Sequence, residues 1–338
     1  MKRGRMAKLS IEDQVAILTD GVDFGDKNLE IFMRLELEKR LQQVKEETRS
    51  LRVYCGYDVT GPDLHLGHTV TLRKLRQFQD LGHAVTFIIG TFTSLIGDPS
   101  DRETARKVRN TSTVMEESEL YAQQAFKVLD PQKTHLRFNH EWLNPLKIAD
   151  IIPCAALFSL QQLLTRENFK KRLEKNDPIL FQEILYPLAQ AYDAVELRAD
   201  VQIGASEQLF NLMAGRKLQE FFGLQPQICL TYPILVGIDG EKRMSKSTGN
   251  YIGILEHPSE KFKKLMSIPI AALPSYVRLL TRWSVIDKEK VLKALEDPSV
   301  SQIEIQKRIA WEIIAGIDGE QAATDAEVFY LKDSQSNL

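Results

Sequence analysis

The sequence predicts an α/β fold: a Rossmann-like parallel sheet with a helical insertion, followed by a smaller all-α C-terminal domain. Strand patterns alternate with helical patterns from about residue 51 to residue 235. Residues 84–90 are almost wholly apolar, which is typical of a parallel strand buried on both faces. Beyond residue 256 only helical patterns occur. With 338 residues and 43% hydrophobic content, the chain is large enough for two domains.

Each element is predicted from its own pattern. Residues 8–50 read as charged helices, and residues 51–57 form a strand rich in β-forming residues. Gly61-Pro62-Asp63 marks the loop that precedes a helix, and Gly82 ends that helix just after Leu81. The remaining predicted elements of this part are the strand 84–90, the helix 112–129, a strand near 136–138, a mainly helical stretch 145–197, the strands 199–204 and 227–235, the helix 207–222 between them, and a polar loop 237–250.

These elements predict three regions. Residues 1–50 are a helical segment packed on the catalytic domain, and residues 51–255 are that domain, with the helical insertion at about 145–197. Residues 256–338 form the helical C-terminal domain. Its predicted helices cover 258–266, 274–281, 288–295 and 304–315.

Composition excludes several classes of protein. A net charge of -2 argues against a globally basic nucleic-acid coat protein, so any RNA would bind to local patches. The three cysteines, Cys55, Cys154 and Cys229, lie far apart, which argues against a zinc ribbon or a disulfide framework and fits a reducing compartment. No apolar run approaches the roughly 20 residues of a membrane span. We therefore expect a cytoplasmic protein without a membrane partner.

Two short segments carry most of the chemical information. They are His65-Leu66-Gly67-His68 and Arg243-Met244-Ser245-Lys246-Ser247, and together they match the paired ATP-binding signatures of class I aminoacyl-tRNA synthetases. Alone, the first is also explained by ordinary surface or helix-capping histidines, and the second by a solvated basic turn. Their co-occurrence, with the first placed between a strand and a helix, favours the activation of an amino acid by ATP.

The residue types suit that reaction. A carboxylate attacks the α-phosphorus of ATP, so the protein needs donors and cations around a phosphorus whose charge grows. His65 and His68 supply imidazole donors at a helix start, where backbone N–H groups also favour anions. Gly67 lets adenine approach the backbone. A basic loop around Lys246 can close over a triphosphate, and a second cationic loop after Gly97-Asp98-Pro99-Ser100 suits a lid over pyrophosphate. Its cations are Arg102, Arg106, Lys107 and Arg109.

Over nearly its whole length the chain resembles bacterial-type tyrosyl-tRNA synthetases. The resemblance rests on motifs beyond the two signatures: Tyr54-Cys55-Gly56-Tyr57-Asp58, residues 92–100, Arg137-Phe138-Asn139, residues 186–193, and Gly204-Ala205-Ser206-Glu207-Gln208 followed by Asn211. It implies ATP as a substrate with Mg²⁺, L-tyrosine and tRNA-Tyr as the other partners, and a homodimer. It also implies that the C-terminal helical domain lies on the anticodon side of the tRNA.

The resemblance implies a role for each matching position. Tyr54 and Asp193 would hold the substrate phenol, while Tyr186, Gln190 and Asp98 would hold its ammonium group. Gln208 would lie against its carboxylate. The remaining implied ATP contacts are Asp58, Gly204 and Glu207 at the ribose, Gly67, Met244, Ser245 and Ser247 in the signatures, Thr60 with His65 at the γ-phosphate, and Arg102, Arg106, Arg243 and Lys246 at the departing pyrophosphate, with His68 completing the first signature.

The spacing of the proposed tyrosine-binding residues agrees with this. Tyr186, Gln190 and Asp193 recur at helical spacing, so they share one helix face. Buried partners of a phenol hydroxyl are left unpaired when phenylalanine enters. Tyrosyl enzymes are the known example of this discrimination, at about 10⁵ without editing. The alternative is a polar helix face exposed to solvent.

Some positions depart from the family pattern. Val59 stands where proline is usual, Glu207 where aspartate is usual, and Asp101 where glycine is usual. The sequence also stops after a helical region, where related chains continue into a small RNA-binding module. The three substitutions affect the expected ribose geometry and lid kinetics. The missing module leaves open a paralogue that forms an aminoacyl-adenylate for another acceptor. A non-catalytic RNA-binding relative is the other alternative, although His65, His68, Lys246 and the proposed phenol pocket are intact.

Two features of the insertion predict partners. The basic segment 166–172 is expected to touch the tRNA acceptor stem through phosphate contacts, although a solvated helix face reads the same. The apolar residues Leu157, Phe158, Leu160, Leu163 and Leu164 are expected at a homodimer interface, although a buried core helix reads the same.

Overall fold

A single parallel sheet lies in the first part of the chain. The computed structural model describes residues 9–100 and 109–336, and its five strands are ordered β3-β2-β1-β4-β5. Every pairing of neighbouring strands is parallel. The strands are β1 Arg52–Asp58, β2 Ala84–Gly90, β3 Thr134–Phe138, β4 Val201–Ala205 and β5 Ile228–Tyr232. The predicted Rossmann-like α/β class is therefore confirmed, and β2 has the predicted bounds.

The strand order reverses at β1. Tyr54 of β1 is paired with Thr86 on one side and Gln202 on the other, and Asp58 is paired with Gly90 at the end of β2. Ligands of open parallel sheets bind outside the carboxyl ends of the strands at such a reversal. The residues that follow β1 and β4 are therefore placed where a ligand is expected.

The helices follow the predicted order with small shifts in their ends. Helix α3 stops at Asp80, and Gly82 takes the positive φ of 90° that ends a helix well. One helix, 320–336, extends past the predicted last helix, because Tyr330 packs on Phe262 with ring centroids 5.3 Å apart. The helices are α1 Ile11–Leu18, α2 Lys27–Glu46, α3 Leu66–Asp80, α4 Thr93–Ile96, α5 Thr111–Ala125, α6 His140–Leu143, α7 Ile148–Ala155, α8 Leu160–Leu164, α9 Glu167–Glu174, α10 Phe181–Glu196, α11 Leu209–Phe221, α12 Pro258–Met266, α13 Leu273–Leu280, α14 Val285–Glu296, α15 Gln302–Asp318 and α16 Glu320–Ser336.

The chain divides into two compact units. The first comprises residues up to 62, 77–122 and 131–232, and it contains the whole sheet. The second comprises residues 63–76, 123–130 and everything from 233 onward. The first signature and the loop 237–250 therefore belong to the second unit, together with the C-terminal helices.

A buried carboxylate fastens helix α2 within the first unit. Asp200 Oδ1 accepts from Arg40 at 3.0 Å, and its Oδ2 accepts from Arg49 at 2.7 Å and from the Arg52 backbone N–H at 2.8 Å. Burial alone would raise the pKa of Asp200, but the hydrogen bonds from Arg49 and Arg52 outweigh burial and lower it. The paired charges make this burial tolerable, since an isolated buried carboxylate would be very costly.

The second unit has a similar arrangement around Asp318. Its carboxylate accepts from Lys127 at 2.9 Å and from the buried Lys261 at 2.5 Å, joining three separate segments of this unit. Arg282 and Glu312 form a further ion pair at 2.8 Å. None of the helices in the described part of the chain is both long enough and apolar enough to cross a membrane.

Candidate active site

Tyr54 and Asp193 are two deeply buried polar side chains of the first unit. Tyr54 on β1 is 1% exposed and Asp193 on α10 is 3% exposed. The Tyr54 hydroxyl is buried without a hydrogen-bond partner among the described residues. Burial and the charge of Asp193 raise the pKa of Tyr54 well above its usual value, so the group is a neutral phenol. An unpaired hydroxyl beside an acid suits a polar ligand atom that would bond to both.

A tryptophan holds Asp193 in place. Trp142 Nε1 donates to Asp193 Oδ1 at 2.8 Å. Burial raises the pKa of Asp193 to about 8, against the hydrogen bonds of Trp142 and Asn139, which lower it. At neutral pH the side chain is therefore mainly a protonated acid, able to donate as well as accept a hydrogen bond. The sequence did not predict Trp142, because its partner depends on packing between α6 and α10.

Helix α10 presents the predicted row of polar residues on one face. Tyr186 Oη donates to Asp58 Oδ2 at 3.0 Å, which connects the helix to the carboxyl end of β1. Gln190 Oε1 is buried and has no hydrogen-bond partner in the described structure. Like the Tyr54 hydroxyl, it is therefore a buried polar atom without a protein partner, although such atoms are normally paired.

Asp98 forms a second polar cluster in the same unit. Its carboxylate accepts from Gln208 Nε2 and from the hydroxyl and backbone N–H of Ser100, the last at 2.9 Å. Asn211 Nδ2 in turn donates to Gln208 Oε1 at 2.9 Å. Both ends of the Gln208 amide are thus hydrogen-bonded to protein groups, and Gln208 orients Asp98.

Small residues open the carboxyl ends of β2 and β4. A Cβ at Gly90 would collide with Asp58 and with Thr93, whose hydroxyl donates to Asp58 Oδ1 at 2.6 Å. A Cβ at Gly204 would lie 3.1 Å from Leu212 Cδ1. Gly90 was not among the predicted site residues. Its position at the end of β2 is the feature of the sequence that could have identified it.

The other predicted ATP contacts of the first unit lie after β1 and β4. Glu207 is half-buried in the short turn that follows β4. Thr60 follows β1, and its backbone N–H donates to the hydroxyl of the fully buried Tyr121 at 3.1 Å. Tyr121 was not predicted from the sequence.

In the second unit, His65 and His68 face each other at the start of α3. Their ring centroids are 4.0 Å apart. The backbone N–H of His65 donates to His68 Nδ1 at 3.1 Å, and that of Gly67 donates to His65 Nδ1 at 3.2 Å. Because each Nδ1 accepts, each ring carries its proton on Nε2. Burial lowers the pKa of His68 to about 3 and that of His65 further, so both are neutral donors.

Gly67 is required by its neighbour. An added Cβ would lie 2.9 Å from His65 Cε1, so the imidazole rests against the bare backbone. The sequence predicts that this glycine allows the approach of adenine. The structure gives a second reason, because the His65 ring occupies the space that a Cβ would fill.

Backbone pairing joins the two signatures within the second unit. The Leu66 N–H donates to the Ile252 carbonyl and the Ile254 N–H to the Leu64 carbonyl, each at 2.9 Å. His65 lies opposite Gly253 in this short antiparallel pairing. The segment just after the second signature is therefore fixed beside the first.

Asn250 organises the second signature loop. Its Oδ1 accepts from the Ser245 N–H at 2.9 Å and from the Thr248 hydroxyl at 2.7 Å. Its Nδ2 donates to Asp239 at 2.7 Å and to the Arg243 carbonyl at 3.1 Å. The Asn250 side chain thus links residues from Asp239 to Thr248 and holds the loop together. The sequence analysis did not predict this role.

Other signature residues have local partners as well. Lys246 Nζ donates to the Asp63 carbonyl at 2.8 Å. The Ser245 and Ser247 hydroxyls are 2.9 Å apart, and Met244 is buried.

One prediction for the insertion is wrong in part. Arg172 does not belong to an exposed basic face, because its side chain is fully buried and bonds Glu183 at 2.7 Å and Asp177 at 3.0 Å. Lys170 and Lys171 of the same helix are exposed. The basic residues around Arg172 suggested an exposed face, whereas its partner Glu183 lies on the next helix, α10.

The predicted lid falls largely outside the described residues. Arg102, Arg106 and Lys107 lie there, as does Asp101. Arg109 is described, and it pairs with Glu117 at 2.7 Å and donates to the Val59 carbonyl.

Comparisons with known proteins agree on one family. The family model of class I tRNA synthetases (W and Y) matches residues 45–330. The tyrosine–tRNA ligase of Geobacter sulfurreducens is 43% identical over 97% of this chain and 80% of its own length. That of Thermotoga maritima is 45% identical over 87% of this chain and 73% of its own length. A C-terminally truncated mitochondrial tyrosyl-tRNA synthetase from Aspergillus nidulans has a similar fold, with a TM-score of 0.74, 22% identity and 98% coverage of both chains.

Proposed function

The chain belongs to the class I tRNA synthetases of the W and Y family and is a tyrosine–tRNA ligase, and we propose that Tyr54 and Asp193 select its substrate by the phenol. The unpaired, buried Tyr54 hydroxyl is the observation that carries this proposal. A bound tyrosine hydroxyl would bond to Tyr54 and Asp193 at once. Phenylalanine would leave the buried Tyr54 hydroxyl without a partner and would deprive Asp193 of its bond to the substrate, which costs far more than a lost methylene.

The ammonium group of tyrosine is assigned to the polar face of α10 and to Asp98. Gln190 Oε1 offers an unused acceptor, and the Tyr186 hydroxyl is oriented by its bond to Asp58. Asp98 contributes the negative charge, held in position by Ser100 and Gln208. An ammonium with three such acceptors is well matched to its donors.

The first step joins tyrosine to ATP. A carboxylate oxygen of tyrosine attacks the α-phosphorus, the bond from that phosphorus to the bridging oxygen breaks, and pyrophosphate leaves with its electron pair. His65 and His68 are neutral, and each uses Nδ1 for a local hydrogen bond and carries its proton on Nε2. The Nε2–H groups can therefore donate to phosphate oxygens without taking up a proton. Arg243 and Lys246, with Arg102 and Arg106, are assigned to the departing pyrophosphate.

The remaining ATP contacts are assigned to backbone and small side chains. Asp58, Gly204 and Glu207 hold the ribose, Thr60 accompanies His65 at the γ-phosphate, and the adenine lies at Gly67 and the signature loop of Met244, Ser245 and Ser247. Mg²⁺ enters with ATP as part of the substrate. No group of three or more histidine, cysteine or acidic side chains that could hold a metal ion occurs in residues 9–100 and 109–336.

The second step transfers tyrosine to tRNA-Tyr. A ribose hydroxyl of the 3′-terminal adenosine attacks the acyl carbon of tyrosyl-adenylate, and AMP leaves. Lys170 and Lys171 are exposed on α9 and remain the cations proposed for the acceptor-stem phosphates. With Arg172 excluded, a Lys170/Lys171 double alanine variant is the clean test, and an unchanged salt slope of tRNA binding would contradict the assignment.

We also propose that the chain forms a homodimer through the insertion. An apolar cavity of about 300 Å³ is lined by Ala155, Phe158, Leu160, Leu163, Phe181, Ile184, Leu185, Pro187 and Leu188. Phe181 on its rim is 75% exposed, and Ile148 and Ile152 nearby in sequence are 78% and 62% exposed. Exposed apolar groups of this size mark interaction surfaces. Sedimentation as a monomer at micromolar concentration would contradict the dimer.

Tyrosine-dependent ATP–pyrophosphate exchange is the direct test of the proposed selection. We expect exchange with tyrosine and none above background with phenylalanine or tryptophan. Exchange with phenylalanine at a comparable rate would contradict the phenol pocket. Charging of tRNA-Tyr by the same sample then tests the second step separately, which distinguishes this enzyme from a paralogue that stops at the adenylate.

A further inference from the structure

Arg166 is a half-buried cation that the assigned roles leave unused. Its Nη1 is buried and has no hydrogen-bond partner in the described structure. The guanidinium carbon lies 5.0 Å from the ring centroid of Phe210 and 5.6 Å from that of Phe169. These two rings contact the charged group and provide no acceptor for Nη1. A buried guanidinium nitrogen without an acceptor is unusual, since buried polar atoms are normally hydrogen-bonded.

The surrounding contacts place Arg166 beside Asp98. Asn168, two residues along the chain, donates to the Pro99 carbonyl, and Gln182 donates to the Ile96 carbonyl at 3.3 Å. The loop that carries Asp98 is thus bonded to α9, which begins just after Arg166, and to α10. Burial lowers the pKa of Arg166, and the charges of Asp98 and Tyr186 oppose that change, so both groups lie within its electrostatic reach.

The charges of the substrate complete the argument. Tyrosine binds as a zwitterion, with its carboxylate one carbon away from the ammonium group. If Asp98 and Tyr186 hold the ammonium, the carboxylate must lie close to them, and it requires donors of its own. Gln208 is already bonded at both ends to Asp98 and Asn211. The planar guanidinium is the donor best suited to a carboxylate.

We propose that Arg166 binds the α-carboxylate of tyrosine through its free Nη1, so that the carboxylate is oriented for attack on ATP. This inference rests on the proposed function and adds a substrate-binding residue to it. Contacts with the phenylalanine rings reduce the freedom of the guanidinium, which lowers the entropy lost on binding.

Comparing tyrosine with tyramine isolates this contact, because tyramine keeps the phenol and the ammonium group and lacks only the carboxylate. Dissociation constants would be measured by calorimetry on the full chain without ATP, for wild type, Arg166→Met and Arg166→Lys. We expect Arg166→Met to weaken tyrosine binding by about ten- to a hundredfold, the effect of losing a charged hydrogen bond. Tyramine binding should stay constant or tighten, because a cation near its ammonium is removed. Arg166→Lys should recover part of the tyrosine affinity.

Other outcomes separate the possible errors. Equal losses for tyrosine and tyramine would show that Arg166 only supports the pocket by stacking on Phe169 and Phe210, and would overturn the proposal. Unchanged affinities for both ligands would overturn it as well. Lys175→Met, which changes an exposed cation just after α9, is the matched control and should bind both ligands as wild type does. If wild type binds no tyrosine and supports no exchange, the proposed function fails instead.

Discussion

Replacing Tyr54 by phenylalanine should raise stability and lower tyrosine affinity at the same time. In the free protein the hydroxyl is buried without a partner, so its removal relieves a desolvation cost that is about 1–3 kcal/mol for such groups. We expect a gain near 1 kcal/mol, the lower end, because Gln227 lies close enough to lower the pKa of Tyr54. In the complex the same change removes one neutral hydrogen bond to the substrate. The expected loss of affinity is about three- to tenfold.

Tyr232→Phe is the matched control. Tyr232 is as deeply buried on β5, but its hydroxyl donates to the Leu18 carbonyl at 2.6 Å. Removing that hydroxyl leaves a buried carbonyl with one bond fewer, so this variant should lose about 1 kcal/mol and keep its tyrosine affinity. Urea unfolding followed by tryptophan fluorescence gives the free energies, and ATP–pyrophosphate exchange gives the Michaelis constant for tyrosine. If Tyr54→Phe is destabilised as much as Tyr232→Phe, the Tyr54 hydroxyl has a partner in the free protein and the reasoning is refuted.

Three further predictions concern the rest of the site. Asp193→Asn should become more stable relative to wild type as pH rises from 5 to 7. The raised pKa of about 8 means that folded wild type keeps a proton that the unfolded chain releases, so the free energy of unfolding of wild type falls with pH. The difference between the two proteins should change by up to about 1.4 kcal/mol per pH unit. Asn250→Ala should raise the Michaelis constant for ATP about tenfold in the exchange assay and leave that for tyrosine constant, because only the signature loop loses its bonds. Gly67→Ala should lower the exchange rate about a hundredfold at unchanged melting temperature, because the new Cβ displaces the His65 ring.

Each of these has a contradicting result. Parallel stability curves for Asp193→Asn and wild type would mean that Asp193 is ionised in the folded protein. Equal changes in both Michaelis constants for Asn250→Ala would mean that the loop amide supports more than the ATP signature. Wild-type exchange by Gly67→Ala would mean that the imidazole ring is free to move aside.

The sequence predicted the positions of site residues better than their partners. The strand 84–90 followed from its apolar run and the row on α10 from helical periodicity, and both are properties of a segment by itself. The bond from Trp142 to Asp193 depends on how two elements pack, and no local pattern encodes it. Arg172 shows the converse error, since its neighbours suggested an exposed face while Glu183 on the next helix neutralises it. The roles of the individual site residues stay predictions until the variants are measured.

The backbone pairing between residues 64–66 and 252–254 has a consequence for biosynthesis. On a translating ribosome the first signature is made early, and its pairing partner follows only after most of the chain has been added. A nascent polypeptide that ends at Tyr232 already contains every residue assigned to tyrosine, from Tyr54 to Gln208. It still lacks the strand that fixes His65. Such a fragment therefore lacks both the second signature and the pairing that holds the first signature in place.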